Sequence, residues 1–450
     1  MYRYILVLLC LAVNLAYANN LSVNGELRAR YESLTGQFRT EKSGSDQLLL
    51  FRSLLHAKHQ TQSMTFGIEL QDSRTYLGDE NTPLSSSFTN VSDLLQAYIK
   101  FNNLAEFIPS SQKSELVIGR QTLTVGSKRH IQRVGYANVI KSFTGIYSKT
   151  TFNNKDELHA FYLVPVKPLP NDSNQVRNNH HKLDKEQWQR RLWGLSYRWA
   201  DILNNPNQSI AAEAFVYGLD EKDTISNPTN NRHYTTISAR LFRKWAPNIW
   251  NFDIEAAYRY GSRHATSNPN DNIDLKVNAD MLLFRVGYTF EHSLNPNIAF
   301  QHYHASGDNN PDDSQFEQYE SLFGGRRTDL NHTSIHGPLA PVNLSATGIR
   351  LELRPKANWD ARIHYSAAYL QSKTDIFKTA KYRDETGQSG DFLGHAIDAR
   401  VQYWLGKKEW IFEVGASLFT PGEYLKNMRT AQALPNETTR FGYLQLTYKF

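Results

Sequence analysis

The segment "LQLTYKF", Leu444–Phe450, alternates without a break. Leu444, Leu446, Tyr448 and Phe450 fall on one face of an extended strand, and Gln445, Thr447 and Lys449 on the other. The same period of two recurs along the chain, and helix-period patterns are scarce. In "DMLLFRVGYTF" (Asp280–Phe290), Leu282, Phe284, Val286, Tyr288 and Phe290 oppose Arg285, Gly287 and Thr289. In "NFDIEAAYRYG" (Asn251–Gly261), Phe252, Ile254, Ala256, Tyr258 and Tyr260 oppose Asp253, Glu255 and Arg259. In "SATGIRLELRP" (Ser345–Pro355), Ile349, Leu351 and Leu353 oppose Arg350, Glu352 and Arg354. One such strand in water has a core face and a wet face. Many of them, each about 10 residues long, match strands that cross a bilayer obliquely with alternate side chains in lipid.

The expected fold is therefore an all-β, antiparallel up-and-down transmembrane barrel of about 18 strands. They run from Leu21–Glu32 to Arg440–Phe450 and include Ser114–Thr124 and Asn138–Thr150. Connection lengths fit this. Short links ("QTQ", "NNK", "PKAN", "GKK") alternate with long polar ones such as Pro165–Arg190, Gly307–Leu344 and Lys373–Gly394. With both termini periplasmic, every long segment falls outside the cell. The terminal strand must pair with the first, because no sheet edge survives in lipid.

The start of the chain agrees. Met1–Ala18 carries Arg3, the apolar run "ILVLLCLAV" and "AYA" before Asn19, the pattern of a cleaved secretory signal peptide. Residues 19–450 then form one barrel domain. Cys10, the only cysteine, leaves with the leader, so neither disulfides nor thiolate metal sites are expected. The formal net charge of +6 falls by one when Arg3 leaves, a mild basic excess that permits an anionic partner. Aromatic residues make up 12% of a chain that is otherwise polar, as expected where only alternate residues meet lipid.

Alternation assigns the lumen. Opposite the apolar faces lie Arg28, Arg30, Arg52, Arg190, Arg198 and Arg240, then Arg259, Arg285, Arg350, Arg354, Arg362 and Arg400. Glu26, Glu69, Glu213, Asp253, Glu255, Glu352, Asp398 and Glu413 share that side. An outward arginine costs about 2–4 kcal/mol at the bilayer midplane, which selects the inward placement. Some of these arginines pair with lumen acids to hold the wall. The rest line a path whose guanidinium forks suit carboxylates. Tyr98 and Phe242, also inward, offer faces for sugar rings.

Several stretches resemble the alginate export family of outer-membrane barrels. They are "LRARYE" (Leu27–Glu32), "GIELQDSRTY" (Gly67–Tyr76), "LLQAYIKF" (Leu94–Phe101) and the long run "IGRQTLTVGSKRHIQRVGYANVIKSFTGI" (Ile118–Ile146). "ASGDNNPDDSQFEQYESLFGGRR" (Ala305–Arg327) is similar to the family's long acidic loop, and "GYLQLTYKF" to its end. In place of the family's usual Trp before Asn138 stands "YA", with Tyr136. The resemblance implies transport of an alginate-like polymer and adds Arg74, Arg120 and Arg129 to the anion path. Phe450, Tyr448 and Leu446 resemble the signal read by the barrel assembly machinery.

The expected function is passive export of an anionic exopolysaccharide through an Arg-rich lumen. The alternative is a substrate-selective porin taking up small anions or oligosaccharides. Expected partners are outer-membrane lipid, the assembly machinery, an anionic poly- or oligosaccharide and a periplasmic export or synthesis complex. The barrel is expected to be monomeric, with no nucleic-acid partner and no cofactor. Asp308, Asn310 and Asp312 alternate as oxygen ligands, a weak Ca²⁺ pattern lacking the Gly and Glu of an EF-hand. His302 and His304 near Asp308 invite a hydrolase reading, but nothing marks a nucleophile and no catalytic residue is assigned.

Overall fold

The computed structural model describes residues 20–80, 82–205 and 209–450. The signal peptide, with Cys10, lies outside these. Twenty strands join one sheet. Two have only two residues, Lys185–Glu186 and Gln315–Phe316, and lie outside the cylinder wall. The other eighteen make the wall, in chain order from β1 (Leu21–Thr35), β2 (Ser45–Gln60), β3 (Met64–Tyr76) and β4 (Asn90–Phe101). Next come β5 (Ser111–Gln121), β6 (Phe143–Phe152), β7 (Glu157–Lys167), β8 (Arg190–Trp199) and β9 (Ala211–Glu221). β10 (His233–Arg243), β11 (Ile249–His264), β12 (Asp274–Thr289), β13 (Asn297–Ala305) and β14 (Leu344–Leu353) follow. β15 (Trp359–Tyr369), β16 (Phe392–Leu405), β17 (Trp410–Pro421) and β18 (Thr439–Lys449) complete the circuit.

Each strand pairs antiparallel with the next, and β18 pairs with β1 in the register Arg28↔Thr447 and Arg30↔Gln445. The seam is finished by Gly25 N donating to Phe450 O at 2.9 Å. Closure leaves no edge exposed to lipid.

The faces sort as alternation requires. Leu444 (62% exposed) and Ile349 (57%) point outward, while Arg30 (1%) and Glu32 (0%) are buried inside. Greasy outside and charged inside inverts a soluble sandwich, and it is the pattern of a lipid-facing wall. Outward aromatics cluster near the end of the barrel that carries the termini. There Trp410 lies 4.4 Å from its cross-strand partner Tyr448, and Trp250 lies 5.3 Å from Tyr288, centroid to centroid. Such girdles mark the bilayer interface.

Two expected wall segments are shorter than the sequence indicates. Thr122–Thr124 and Asn138–Ser142 are not strand, and residues 122–142 turn into the bore. At the opposite mouth from the termini, residues 306–343, 370–391 and 422–438 pack together. Leu330, Leu339, Phe377, Tyr382, Tyr424 and Leu425 form one buried cluster there, which also includes Phe38 of the first loop. A short helix, α1 (Glu423–Ala431), caps it.

Replacing Ile349 with Arg puts a charge on the outer face next to the inward Arg350. We expect a loss of about 2–4 kcal/mol in urea titrations of the barrel folded into lipid vesicles. A change below about 0.5 kcal/mol is inconsistent with that face meeting hydrocarbon.

Candidate functional site

Gly119 and Gly145 sit opposite each other where β5 and β6 release the segment 122–142. Their φ values are +125° and +151°, and a Cβ would stand 2.4 and 2.3 Å from carbonyl oxygens of the flanking strands. Only glycine fits there. The positive φ at Gly119 also breaks the alternation, so Ile118 faces out while Arg120 and Gln121 are both buried.

Three wall arginines grip the segment where it crosses the bore. Arg28 donates to Gly135 O at 2.8 Å, to Ala137 O at 3.0 Å and to Asn138 Oδ1 at 2.9 Å. Arg30 donates to Tyr136 O at 2.6 Å, pairs with Glu32 at 2.8 Å and lies 3.9 Å from the Tyr136 ring centroid. Arg52 donates to Ala137 O at 2.6 Å and pairs with Glu26. Asn138 anchors the far side through Phe88 O at 2.7 Å. These three guanidinium groups therefore hold backbone carbonyls and carboxylates within the fold.

Arg129 sits on this segment rather than on a strand. Its guanidinium meets Asp253 at 2.6 Å, Glu255 at 2.6 Å and Asp329 at 2.9 Å. Burial alone disfavours the charge, but the three carboxylates outweigh it and hold the group above the usual arginine range. His130 beside it bonds Glu255 at 2.7 Å. Asp329 belongs to the second inward segment, 306–343. Against its own burial, Arg129 and Arg285 keep its carboxyl below the usual range. Arg285 reaches Asp329 at 2.5 Å, Arg350 donates to Thr328 O at 2.7 Å, and Arg327 reaches Glu413 at 2.5 Å. Further along, His332 N donates to Asp398 at 3.1 Å, and Asn331 bonds the same carboxylate.

The two segments also bond to each other. Gln132 N donates to Phe323 O at 3.0 Å, Gly325 N to Lys128 O at 3.0 Å, and Ser321 Oγ to Arg129 O at 3.1 Å. Together they form a bar across the cylinder.

On the terminus side of the bar lie two cavities. The larger, about 470 Å³, is lined by Lys149, Arg198, Arg240, Arg243, Lys244, Arg285, Arg350 and Arg354 against only Glu157, Glu213, Asp253 and Glu352. The smaller, about 290 Å³, shares Arg350, Glu352 and Arg354 and adds Arg327, Asp360, Arg362 and Arg400. Cations outnumber carboxylates in both. Arg198 pairs with Glu157 at 3.2 Å, and Arg240 with Asp253 at 2.7 Å while covering the Phe242 ring at 4.0 Å. Arg400 pairs with Asp360. Arg354, half exposed, pairs with Glu352 at 2.6 Å and lies 3.7 Å from the Trp245 ring centroid. Among the described residues Arg362 has no carboxylate within 4 Å and touches only the Arg327 and Thr328 carbonyls at 3.4 Å.

The remaining expected residues are structural in their contacts. Arg190 pairs with Glu221 at 2.8 Å, and Arg259 donates to Tyr217 Oη at 2.9 Å. Arg120 meets Asp184 at 3.2 Å, and Glu69 is held by Arg133 at 2.7 Å. Arg74 is corrected: it stands opposite the outward Phe51, on the outer face, paired at 2.8 Å with Asp72. The pairing neutralises both charges near the loop mouth. The Asp308, Asn310, Asp312 pattern does not converge either. Asp308 is buried and its backbone N–H bonds Asp375, whereas Asn310 and Asp312 are exposed. Among the described residues no three His, Cys, Asp or Glu side chains are grouped to hold a metal.

The family model for alginate export matches residues 19–435. No curated protein matches the chain. Among solved structures, a BenF-like porin from Pseudomonas fluorescens Pf-5 is 11% identical with a TM-score of 0.61, covering 96% of this chain and 98% of that one. Acinetobacter baumannii OccAB2 is 13% identical at 0.60, covering 96% and 98%. Pseudomonas aeruginosa OpdK, in a structure with vanillate, is 11% identical at 0.57, covering 95% and 98%. At these identities the likeness is one of fold.

Replacing Arg129 with Gln removes the cation shared by Asp253, Glu255 and Asp329, which keep only Arg240, His130 and Arg285 as ion-pair partners. Each lost charge-assisted bond typically costs about 1.5–3 kcal/mol. The bar should loosen, and single-channel conductance should rise severalfold. Unchanged conductance means the bar is held by other contacts.

Proposed function

Because the chain belongs to the alginate export family, a family of Gram-negative outer-membrane barrels, we propose that it is a selective channel for small carboxylate-bearing solutes, uronate mono- and oligosaccharides foremost. One observation carries this reading: the cavities under the bar hold a surplus of cations within about 470 and 290 Å³, a volume for a few sugar rings. Arg362, Lys244 and Arg243 supply positive charge not consumed by the wall, and Arg354, though paired with Glu352, keeps half its surface open. Interspersed carboxylates keep each station weak enough for release, as conduction requires.

The second reading is export of an anionic exopolysaccharide. It is favoured by the family match and requires the bar to withdraw, since a polymer must thread the whole bore. In both readings the termini are periplasmic and the long loops extracellular. Phe450, Tyr448 and Leu446 lie beside the closing seam, and we propose that they serve as the recognition signal for barrel assembly.

Liposome swelling with a galacturonate length series separates the two. We expect entry of the monomer and dimer, a steep fall beyond about three rings, and slower entry of neutral sugars of equal size. Arg362→Glu should cut uronate entry about tenfold, the consequence of placing a like charge in a partly desolvated path. Equal entry of long and short oligomers favours the export reading, and equal entry of neutral and charged sugars contradicts both.

A further inference from the structure

Neighbouring residues in the bar point to different sides of it. Arg327 lines the cavity on the terminus side and reaches Glu413. Arg326 instead lies against Gly337, where a Cβ would stand 2.7 Å from its Nη2. The preceding residue, His336, offers its carbonyl to Arg39 Nη2 at 2.8 Å. Arg39 comes from the first loop, residues 36–44, at the mouth away from the termini. Two guanidinium groups from different loops thus converge on a single peptide unit.

Among the described residues neither has a carboxylate within 4 Å. The Arg39 side chain is otherwise bonded only to Gln37 Oε1 at 3.2 Å and lies over the Phe38 ring at 4.7 Å. The Arg326 side chain makes no hydrogen bond or ion pair among those residues, yet both side chains keep partial solvent access. Burial pulls both groups down to about 10, and for Arg39 the neighbouring Arg326 charge adds to the effect, with Asp46 the opposing charge. Both stay cationic at neutral pH. Like charges in a partly desolvated place repel more than in water, and a bound anion relieves that repulsion. Most of the bore pairs its arginines with acids, so this unpaired couple is an exception. His336 is held neutral by burial first and then by the cationic Arg39 and Arg326 beside it, so it brings no counter-charge to the pair.

We propose that Arg39 and Arg326 form a carboxylate-binding station on the loop-mouth side of the bar, the counterpart of the cationic cavities on the other side. It rests on the channel reading above for its purpose, though not for its chemistry. A uronate carboxylate accepts from one fork while the other neutralises its second oxygen. Gly337 matters because any side chain there displaces the Arg326 guanidinium.

The test uses the full mature barrel in planar bilayers, with galacturonate added to one chamber at a time and glucose as the neutral control. Galacturonate should produce transient current block from both chambers. Arg326→Gln and Arg39→Gln should each weaken block from one chamber about tenfold, the loss expected for one charge-assisted hydrogen-bond pair. Arg362→Gln should weaken block from the opposite chamber, which identifies the terminus side. Arg326→Lys should recover most of the block, and heat-modifiable migration on gels confirms that each variant folds. Block within about twofold of wild type from both chambers in the Arg39→Gln, Arg326→Gln double variant overturns the station. Absence of block from either chamber in the wild type sinks the channel reading itself.

Discussion

A charged side chain on a wall surrounded by hydrocarbon has one favourable direction, inward. That constraint places the wall arginines and their acids inside one cylinder, where each buried charge needs a partner. The loops supply many of them. Residues 122–142 bring Arg129 to Asp253 and Glu255, and residues 306–343 bring Asp329 to Arg129 and Arg285. The bar across the bore is thus a consequence of satisfying the wall's electrostatics as much as of loop length.

Pairing also sorts the arginines by role. Arg28, Arg30 and Arg52 point into the lumen, yet they hold the carbonyls of Gly135, Tyr136 and Ala137. Arg362 has carbonyl contacts alone, and Arg354 keeps half its surface open. Under the proposed channel function, a passing carboxylate would exchange solvent for such incompletely satisfied groups, whereas it would compete poorly with a triple ion pair such as that of Arg129. Inward orientation is necessary for a path residue, and spare hydrogen-bonding capacity is what distinguishes it.

The cylinder was legible because alternation is a local property: each strand must face lipid with every second residue, whatever its neighbours do. The ends of the bar were not legible, because Leu123, Val139 and Ile140 are buried among lumen groups and give 122–124 and 138–142 the apolar content of a strand. Leu116, Val117 and Ile118 run together, and the positive φ of Gly119 then shifts the phase, so period two could not orient Arg120. Arg74 shows the converse. Phe66, Ile68 and Leu70 set an outward phase that carries it to the outer face, and the family likeness was the weaker guide there. Arg39, Arg133, Arg326 and Arg327 lie on loops, where no periodicity assigns a side. The Glu69 partner of Arg133 is 64 residues away in sequence, and the Glu413 partner of Arg327 is 86 away.

The central claim is that charge left unpaired in the bore, rather than bore width alone, selects what passes. Its most direct measurement is the reversal potential of the wild-type barrel across a potassium chloride gradient in a planar bilayer. The account predicts a potential of the sign set by chloride permeation, shrinking as salt screens the lumen charges. A potential near zero, or one set by potassium, contradicts it.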